Sequence, residues 1–72
     1  MERKGVISSN ISSIGYDPQS MTLEVQFYDQ KIYQYTPVTQ EAYNNLMAAE
    51  SVGSYFAKNI RNNKDIKTSF VK

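Results

Sequence analysis

The chain from Thr22 to Tyr28 alternates apolar and polar residues with a period of two, and no other feature constrains the fold as strongly. Leu23, Val25 and Phe27 occupy the apolar positions. Because successive side chains of a strand point to opposite faces, this pattern is typical of a strand with one buried face and one partly solvated face. The buried face needs a covering layer, so the chain must supply a second layer of structure around one core.

The stretch that follows, Lys31 to Thr36, is separated from this strand only by Asp29 and Gln30. A two-residue connection between extended segments predicts a tight antiparallel hairpin. Neither connecting residue is glycine, which would suit a positive φ better, so we expect a different turn type or a small bulge. This departure leaves open how Tyr33 and Tyr35 register against the preceding strand.

An earlier strand is predicted from Ile11 to Tyr16. It ends at Asp17-Pro18-Gln19-Ser20, where the proline biases the residue before it away from helix, and we predict a turn there. Gly15 lies inside the strand pattern. It marks either a bulge or a position where another backbone or a ligand approaches closely.

Two helices are predicted after the strands. Pro37 ends the third strand, and Thr39 is placed to cap a helix that runs to about Glu50. The apolar face of this helix is formed by Ala42, Tyr43, Leu46 and Met47. Ser51 is placed to cap a second, shorter helix. Its inward residues are Val52, Tyr55, Phe56 and Ile60.

The predicted fold class is α+β, with a three-stranded antiparallel sheet followed by two short helices packed on one face. Residues 1–72 form a single domain with its core over about residues 6–62. Asn62 to Asp65 ends the second helix, and Ile66 to Val71 is either a tail or an added edge strand. A core this small is near the lower limit for a chain that folds alone, so we expect a homodimer to add burial.

The composition excludes several classes of site. The chain contains no cysteine and no histidine, which removes disulfides, thiolate nucleophiles, histidine acid–base chemistry and zinc sites built on these residues. Its acidic residues show no spacing that would bring two carboxylates together on a metal or a scissile bond. No apolar stretch is long enough to span a membrane. We expect a cytoplasmic protein that is not an enzyme and needs no cofactor.

Charge is distributed unevenly along the chain. Residues 1–50 carry three basic and six acidic side chains, whereas residues 51–72 carry five basic side chains and one acidic side chain. The C-terminal third is therefore the part of the chain that is most suited to bind an anion. The alternative is that its lysines are ordinary solvated charges. Arg61, one helical face away from Ser54 and Lys58, is the best candidate for a bidentate phosphate contact.

Two polar segments could contact a ligand. Ser8-Ser9-Asn10 supplies uncharged donors and acceptors, either for ribose or phosphate oxygens or for a turn that enters the first strand. Ser51 to Ser54 supplies N–H groups at a helix start, which suit a phosphate, although a simple N-cap explains the same residues.

Tyr33 and Tyr35 share one face of the third strand, because alternate residues point the same way. If that face is open, the two rings form a platform on which a nucleobase can stack. If the face is turned inward, both rings belong to the core. Tyr28, on the wetter face of the second strand, could join either arrangement.

Five short stretches, in this order, are similar to the KTSC domain: Ser8-Ser9-Asn10-Ile11, Ile14-Gly15-Tyr16-Asp17, Leu23 to Phe27, Tyr33-Gln34-Tyr35 and Ser51 to Phe56. This small domain is named for its occurrence at the C-terminus of some lysyl-tRNA synthetases and also occurs as stand-alone bacterial and phage proteins. The resemblance covers roughly residues 6–62. It indicates the fold of the chain but says little about its function. The chain departs from the family pattern at Ala57, where an asparagine is usual, and lacks the Tyr-Pro that often follows the last helix.

These observations favour a non-catalytic protein that binds or sequesters a nucleotide-like, phosphate-bearing small molecule. A phage protein that soaks up a host nucleotide immune signal is one concrete version. An RNA-binding accessory module, which the resemblance suggests, and a protein-partner module that uses a sheet edge are the alternatives. The candidate ligand-binding residues are Ser8, Ser9, Asn10, Tyr16, Tyr33, Tyr35, Ser54, Lys58 and Arg61.

Overall fold

The computed structural model describes residues 2–72 and contains five strands and two helical segments. The strands are β1 (Arg3–Gly5), β2 (Ile11–Asp17), β3 (Thr22–Phe27), β4 (Ile32–Thr36) and β5 (Lys67–Phe70). The helices are α1 (Gln40–Ala48) and α2 (Val52–Phe56), and α2 continues into a π-helical turn over Ala57–Arg61. The fold class is α+β, as predicted.

All five strands form one antiparallel sheet in the order β1-β2-β3-β4-β5. The prediction of three strands is therefore too low. β5 shows that the edge-strand alternative for the C-terminal segment is the correct one. β1 was not predicted, because it is only three residues long and its sequence, Arg-Lys-Gly, has no apolar alternation. It forms through its pairing with β2, in which Lys4 lies opposite Ile14.

The strand boundaries and the turns follow the sequence closely. The β3–β4 turn contains a positive φ at Gln30, and the N–H of Gln30 donates to the Phe27 carbonyl. The register irregularity lies between Ile11 and Ser13 of β2, away from Gly15. This bulge explains why Ile11 and Ile14, three positions apart, are both fully buried.

The core lies between the helices and one face of the sheet. Leu23 and Val25 of β3 are fully buried, as the alternation predicts, and they belong to one core cluster with Phe56 and Ile60 of the helical segment. Thr39 and Ser51 cap α1 and α2 as predicted, because their hydroxyls accept from the N–H groups of Ala42 and Ser54. Along α1 only Leu46 is fully buried.

The opposite face of the sheet carries a polar row that crosses the strands through Arg3, Gly15, Glu24 and Gln34. Glu24 accepts from the Arg3 guanidinium and from Gln34 Nε2 at 2.9 Å. Gly15 lies between Arg3 and Glu24 in this row, so no side chain stands between the ion-paired groups. The hydrogen bonds and the charge of Arg3 hold the pKa of Glu24 below its ordinary value, although burial alone would raise it.

Candidate functional site

A groove runs between the loop that joins β1 to β2 and the helical segment from Ser51 to Arg61. It consists of two adjoining clefts of 470 Å³ and 370 Å³ that share Ser9 and Asn10 as a wall. The first cleft is lined by Ile7, Ser8, Ser9, Asn10, Glu50, Ser51, Gly53, Ser54 and Ala57. The second is lined by Ser9, Asn10, Phe27, Tyr28, Asp29 and Arg61. We call the two together the loop–helix groove.

The loop wall is shaped by hydrogen bonds of Ser8. Its hydroxyl donates to Asn10 Oδ1 at 3.1 Å, and its Oγ lies 3.4 Å from the N–H groups of both Asn10 and Ile11. Such side-chain bonds to nearby backbone groups are typical of serine and asparagine in turns. The carbonyl of Asn10 also accepts from the N–H of Tyr28 at 3.1 Å, which fastens the loop to the end of β3. The polar segment is therefore held in place before any ligand binds.

The helix wall approaches this loop closely at Gly53. A Cβ at this position would lie 3.2 Å from Ser8 Oγ and 3.4 Å from Asn10 Oδ1. The first distance is tighter than an ordinary carbon–oxygen contact and the second is at the limit of one, so glycine allows the helix to pack against the loop here. The close approach brings two segments more than forty residues apart in sequence onto one groove.

The start of α2 uses its own cap. Ser51 Oγ accepts from the N–H of Ser54 at 3.3 Å. This is the simple N-cap, the alternative to a phosphate site at the same residues. Glu50, next to the cap, is the only charged residue that lines the first cleft among the residues that the structure describes. The first cleft therefore offers hydroxyls, amides and one carboxylate.

The far end of the groove is formed by Arg61, Tyr28 and Asp29. Tyr28 is 58% exposed, so a large part of its ring is free for contact. Asp29 Oδ1 accepts from the N–H of Lys31 at 3.0 Å and so supports the β3–β4 turn. Burial raises the pKa of Tyr35, while the positive charge of Arg61 acts in the opposite direction.

The structure brings together five of the nine predicted residues. Ser8, Ser9, Asn10 and Ser54 line the first cleft, and Arg61 lines the second. Lys58 is exposed on the same helical segment but lines neither cleft. The convergence of the serine-rich loop with the second helix could not be derived from local sequence, since it depends on how the helix crosses the sheet.

The three remaining residues, all tyrosines, lie elsewhere. Tyr35 is 3% exposed and packs edge-on against Phe56 at a centroid distance of 5.1 Å. Tyr33, on the same face, packs edge-on against Phe27 at 5.9 Å and against Phe70 at 5.2 Å. The inward alternative for this face is therefore correct, and these two rings do not form an open stacking platform.

Tyr16 packs against α1, away from Tyr33 and Tyr35. Its ring stacks on Tyr43 at a centroid distance of 4.7 Å, with 8° between the ring planes, and its hydroxyl donates to the Val38 carbonyl. Burial raises its pKa, with the nearby charge of Asp17 acting in the same direction. The stack lies beside a separate cleft of 310 Å³, so Tyr16 fastens α1 to β2 and takes no part in the loop–helix groove.

The groove also contains residues that were not among the predicted site residues. Glu50 lies at the end of the predicted first helix, just after α1, and Gly53 lies within the predicted start of the second helix. The sequence groups Tyr28 with Tyr33 and Tyr35, whereas the structure places it beside Arg61. Its position directly before the β3–β4 turn was the available signal, because side chains near turns are commonly exposed.

The described residues include no group of three or more acidic, cysteine or histidine side chains that could hold a metal ion. Over residues 2–72, neither helix has the length and apolar character needed to cross a membrane.

A family model and a solved structure identify the same family. The family model of the KTSC domain matches residues 7–63. The crystal structure of a KTSC domain protein from Yersinia pestis is similar over 99% of this chain and 97% of that chain, with a TM-score of 0.88 and 38% identity. A protein from Stutzerimonas stutzeri is 39% identical over 56 residues, which are 78% of this chain and 79% of that protein. A protein from Tsukamurella paurometabola is 40% identical over 50 residues, which are 69% of this chain and 75% of that protein.

Proposed function

The chain belongs to the KTSC domain family, and on that premise we propose that it is a non-catalytic binding protein that holds a nucleotide-like, phosphate-bearing small molecule in the loop–helix groove. One observation carries the proposal. The polar loop Ser8–Asn10 and the segment from Ser51 to Arg61 converge on one groove although they are far apart in sequence.

The size and chemistry of the groove suit such a ligand. A cleft of 470 Å³ falls within the range of about 300–1,000 Å³ that is typical of small-molecule sites. Arg61 can form a bidentate contact with a phosphate, and the exposed ring of Tyr28 beside it can stack on a base. The carboxylate of Glu50, at the other end, can accept hydrogen bonds from ribose hydroxyls. The hydroxyls and amides between them can contact ribose or phosphate oxygens.

The lining residues favour binding over catalysis. Ser8 donates its hydroxyl to Asn10, which is an amide and no base, so nothing in this arrangement activates the serine as a nucleophile. With no chemical step, the effect of the protein on its ligand is to lower the free ligand concentration in the cytoplasm. A phage-encoded sponge for a host nucleotide immune signal would work in this way.

A compact ligand suits the charges better than a polynucleotide. Affinity for a nucleic acid strand depends on several phosphate contacts along a continuous basic surface. Here Lys58 lies on the helical segment, whereas Lys67 follows the strand alternation onto the sheet face that carries Glu24. Glu50 and Asp29 line the groove itself. One phosphate at Arg61 is the arrangement that these positions support best.

The test is native mass spectrometry of the protein purified gently from cells, with a denatured sample to identify anything retained. We expect a bound species of a few hundred daltons that is lost in Arg61→Gln and kept in Lys58→Gln. The second variant is the matched control, since it removes the same charge from the same helical segment outside the groove. Retained heterogeneous RNA that both variants weaken, and that salt displaces steeply, would contradict the proposal and favour an RNA-binding module.

A protein-partner role is a second candidate, and the exposed edge of the sheet favours it. All four residues of β5 are exposed, and Phe70 and Val71 are 62% and 49% exposed. An unpaired edge strand can pair with another chain, and a second copy of this domain would add burial that a small core lacks. If this role is correct, the mass spectrum shows an empty dimer. Thr68→Pro, which removes an N–H from the free side of β5, should abolish the dimer, while Arg61→Gln leaves it intact.

A further inference from the structure

The helical segment that lines the groove does not remain α-helical. From Ala57 to Arg61 it forms a π-helical turn, and the N–H of Asn62 donates to the Ala57 carbonyl, five residues back, at 3.1 Å. We propose that this π turn rotates Arg61 into the loop–helix groove and so creates its phosphate subsite, with Asn59 as the positioning residue that supports the turn. The phosphate part of this inference rests on the proposed function.

The geometry of the two helix types explains the effect. In an α-helix with 3.6 residues per turn, a residue four positions on overshoots one full turn by about 40°. Viewed down the helix axis, Ala57 is therefore rotated by about 40° from Gly53. If the next four residues were also α-helical, Arg61 would be rotated by about 80° from Gly53. A π turn holds more residues per revolution, so its fourth residue falls short of a full turn and the displacement is reversed. Arg61 therefore returns to the face of Gly53 and Ala57, which line the first cleft.

The hydrophobic core follows the same four-residue steps. Val52, Phe56 and Ile60 are 7%, 2% and 1% exposed. Two α-helical steps would leave Ile60 about 80° away from Val52, and the π turn reverses the second displacement for Ile60 as it does for Arg61. The π turn therefore serves both sides of the segment, because it keeps Ile60 in the core while it directs Arg61 into the groove.

Two asparagine side chains support the π turn through bonds to carbonyls four residues before them. Asn59 Nδ2 donates to the Tyr55 carbonyl at 3.1 Å, and Asn63 Nδ2 donates to the Asn59 carbonyl at 3.3 Å. A side chain that bonds the carbonyl at this spacing competes with the regular α-helical bond and favours a local departure from α geometry. Asn59 lies inside the turn and is exposed, so its role can be tested with little effect on the core.

The first part of the test needs no ligand. In the wild-type protein we expect nuclear Overhauser contacts between the Arg61 side chain and the Tyr28 ring, and a through-hydrogen-bond coupling between the Asn62 N–H and the Ala57 carbonyl. Asn59→Ala should weaken both, because the turn relaxes toward α geometry and Arg61 leaves the groove. Asn44→Ala, an exposed asparagine on α1, is the control and should change neither. If both signals persist unchanged in Asn59→Ala, the positioning role of Asn59 is refuted.

The second part measures binding of adenosine 5′-monophosphate and of adenosine as probes. We expect Asn59→Ala and Arg61→Gln each to weaken the monophosphate by roughly tenfold to a hundredfold, the range for a charged hydrogen bond, and to leave adenosine unchanged. In Arg61→Gln, adding Asn59→Ala should have no further effect, since Asn59 acts through Arg61. Additive losses would overturn the positioning role. If neither probe binds the wild-type protein although the first part succeeds, the proposed function fails for this ligand class and the placement of Arg61 stands.

Discussion

The centre of the sheet and the loop–helix groove are both rich in polar and aromatic residues, but they use them differently. At the sheet centre, Tyr35 is covered by Phe56, and Glu24 is satisfied by Arg3 and Gln34. In the groove, Tyr28 and Arg61 are exposed beside a loop whose own turn is already closed by Ser8. The polar groups of the sheet centre bond to the protein itself, whereas in the groove the side chains of Tyr28 and Arg61 stay exposed. Substitutions in the first region should change folding, and those in the second should change binding.

The largest effect is expected from a pair of tyrosines that differ in burial. Tyr35→Ala removes a ring that is 3% exposed, and we expect a loss of about 3–5 kcal/mol in the free energy of unfolding, typical of large-to-small aromatic substitutions in a core. Tyr28→Ala, at a position 58% exposed, should change it by less than about 0.5 kcal/mol. Urea denaturation followed by circular dichroism measures both.

In a domain this small, Tyr35→Ala can leave the chain unfolded, so Tyr35→Leu gives the same comparison at a smaller loss. Equal destabilisation by the Tyr28 and Tyr35 variants would remove the distinction between the two regions. A Tyr28→Ala variant that is as stable as wild type and still retains the ligand would refute the stacking role of that ring.

The second effect concerns the buried carboxylate of the sheet. Arg3→Ala leaves Glu24, which is 8% exposed, without its ion-pair partner, and we expect a cost of about 1–3 kcal/mol. Because the pKa of Glu24 is lowered in the folded state, its stabilising contribution is present above the unfolded pKa and is lost as the pH falls through the folded pKa. Without Arg3 the pKa of Glu24 should rise.

Unfolding free energies measured from neutral to acidic pH test this directly. Arg3→Ala should bring the acid loss of stability to a higher pH, and Glu24→Gln should reduce the pH dependence itself. If the free energy of unfolding falls with decreasing pH in the same way in wild type and in Glu24→Gln, another carboxylate is responsible for the loss of stability in acid.

Local features of this fold were predictable from the sequence, whereas features that depend on packing between distant segments were not. The alternation around Leu23 and Val25, and the caps at Thr39 and Ser51, were predictable because they depend on local periodicity and on hydrogen bonds within one turn. The same periodicity placed Tyr33 and Tyr35 on one face but could not say which face the helices cover. That outcome depends on packing between distant segments.

Other features had no local signal at all. β1 exists because β2 offers an edge to pair with, and its own three residues carry no strand pattern. The buried residues Val52, Phe56 and Ile60 recur every four residues, and a short α-helix also tolerates this spacing, so the apolar pattern of the second helix did not reveal the π turn. The meeting of Ser8–Asn10 with Gly53 requires the whole fold, although each segment was recognised as polar and available.

The third effect lies where the helix and the loop meet. Alanine in place of glycine within a helix ordinarily stabilises a protein by about 0.5–1 kcal/mol. At Gly53 the added Cβ would meet Ser8 Oγ at 3.2 Å, so we expect Gly53→Ala to destabilise the protein by about 1 kcal/mol instead. In a Ser8→Ala background, which removes that oxygen, the same substitution should cost less. A double-mutant cycle, measured by denaturation, isolates the contribution of this contact. If Gly53→Ala costs the same free energy of unfolding in wild type and in Ser8→Ala, the loop moves away from the added Cβ without cost.

The smallest effect on stability is expected at Arg61. Arg61→Gln changes an exposed residue, so the free energy of unfolding should shift by less than about 0.5 kcal/mol. The pKa of Tyr35 is already raised by burial, and the charge of Arg61 opposes that rise, so the variant should raise it further. A ¹³C titration of the tyrosine ζ carbons measures this, with Lys58→Gln as the control that removes a charge outside the groove. A Tyr35 titration that responds equally to both variants would mean that Arg61 exerts no more influence on the Tyr35 hydroxyl than a distant cation. A response to Arg61→Gln alone would place the guanidinium where the sheet centre and the groove meet, so that one side chain faces both the core tyrosine and the ligand.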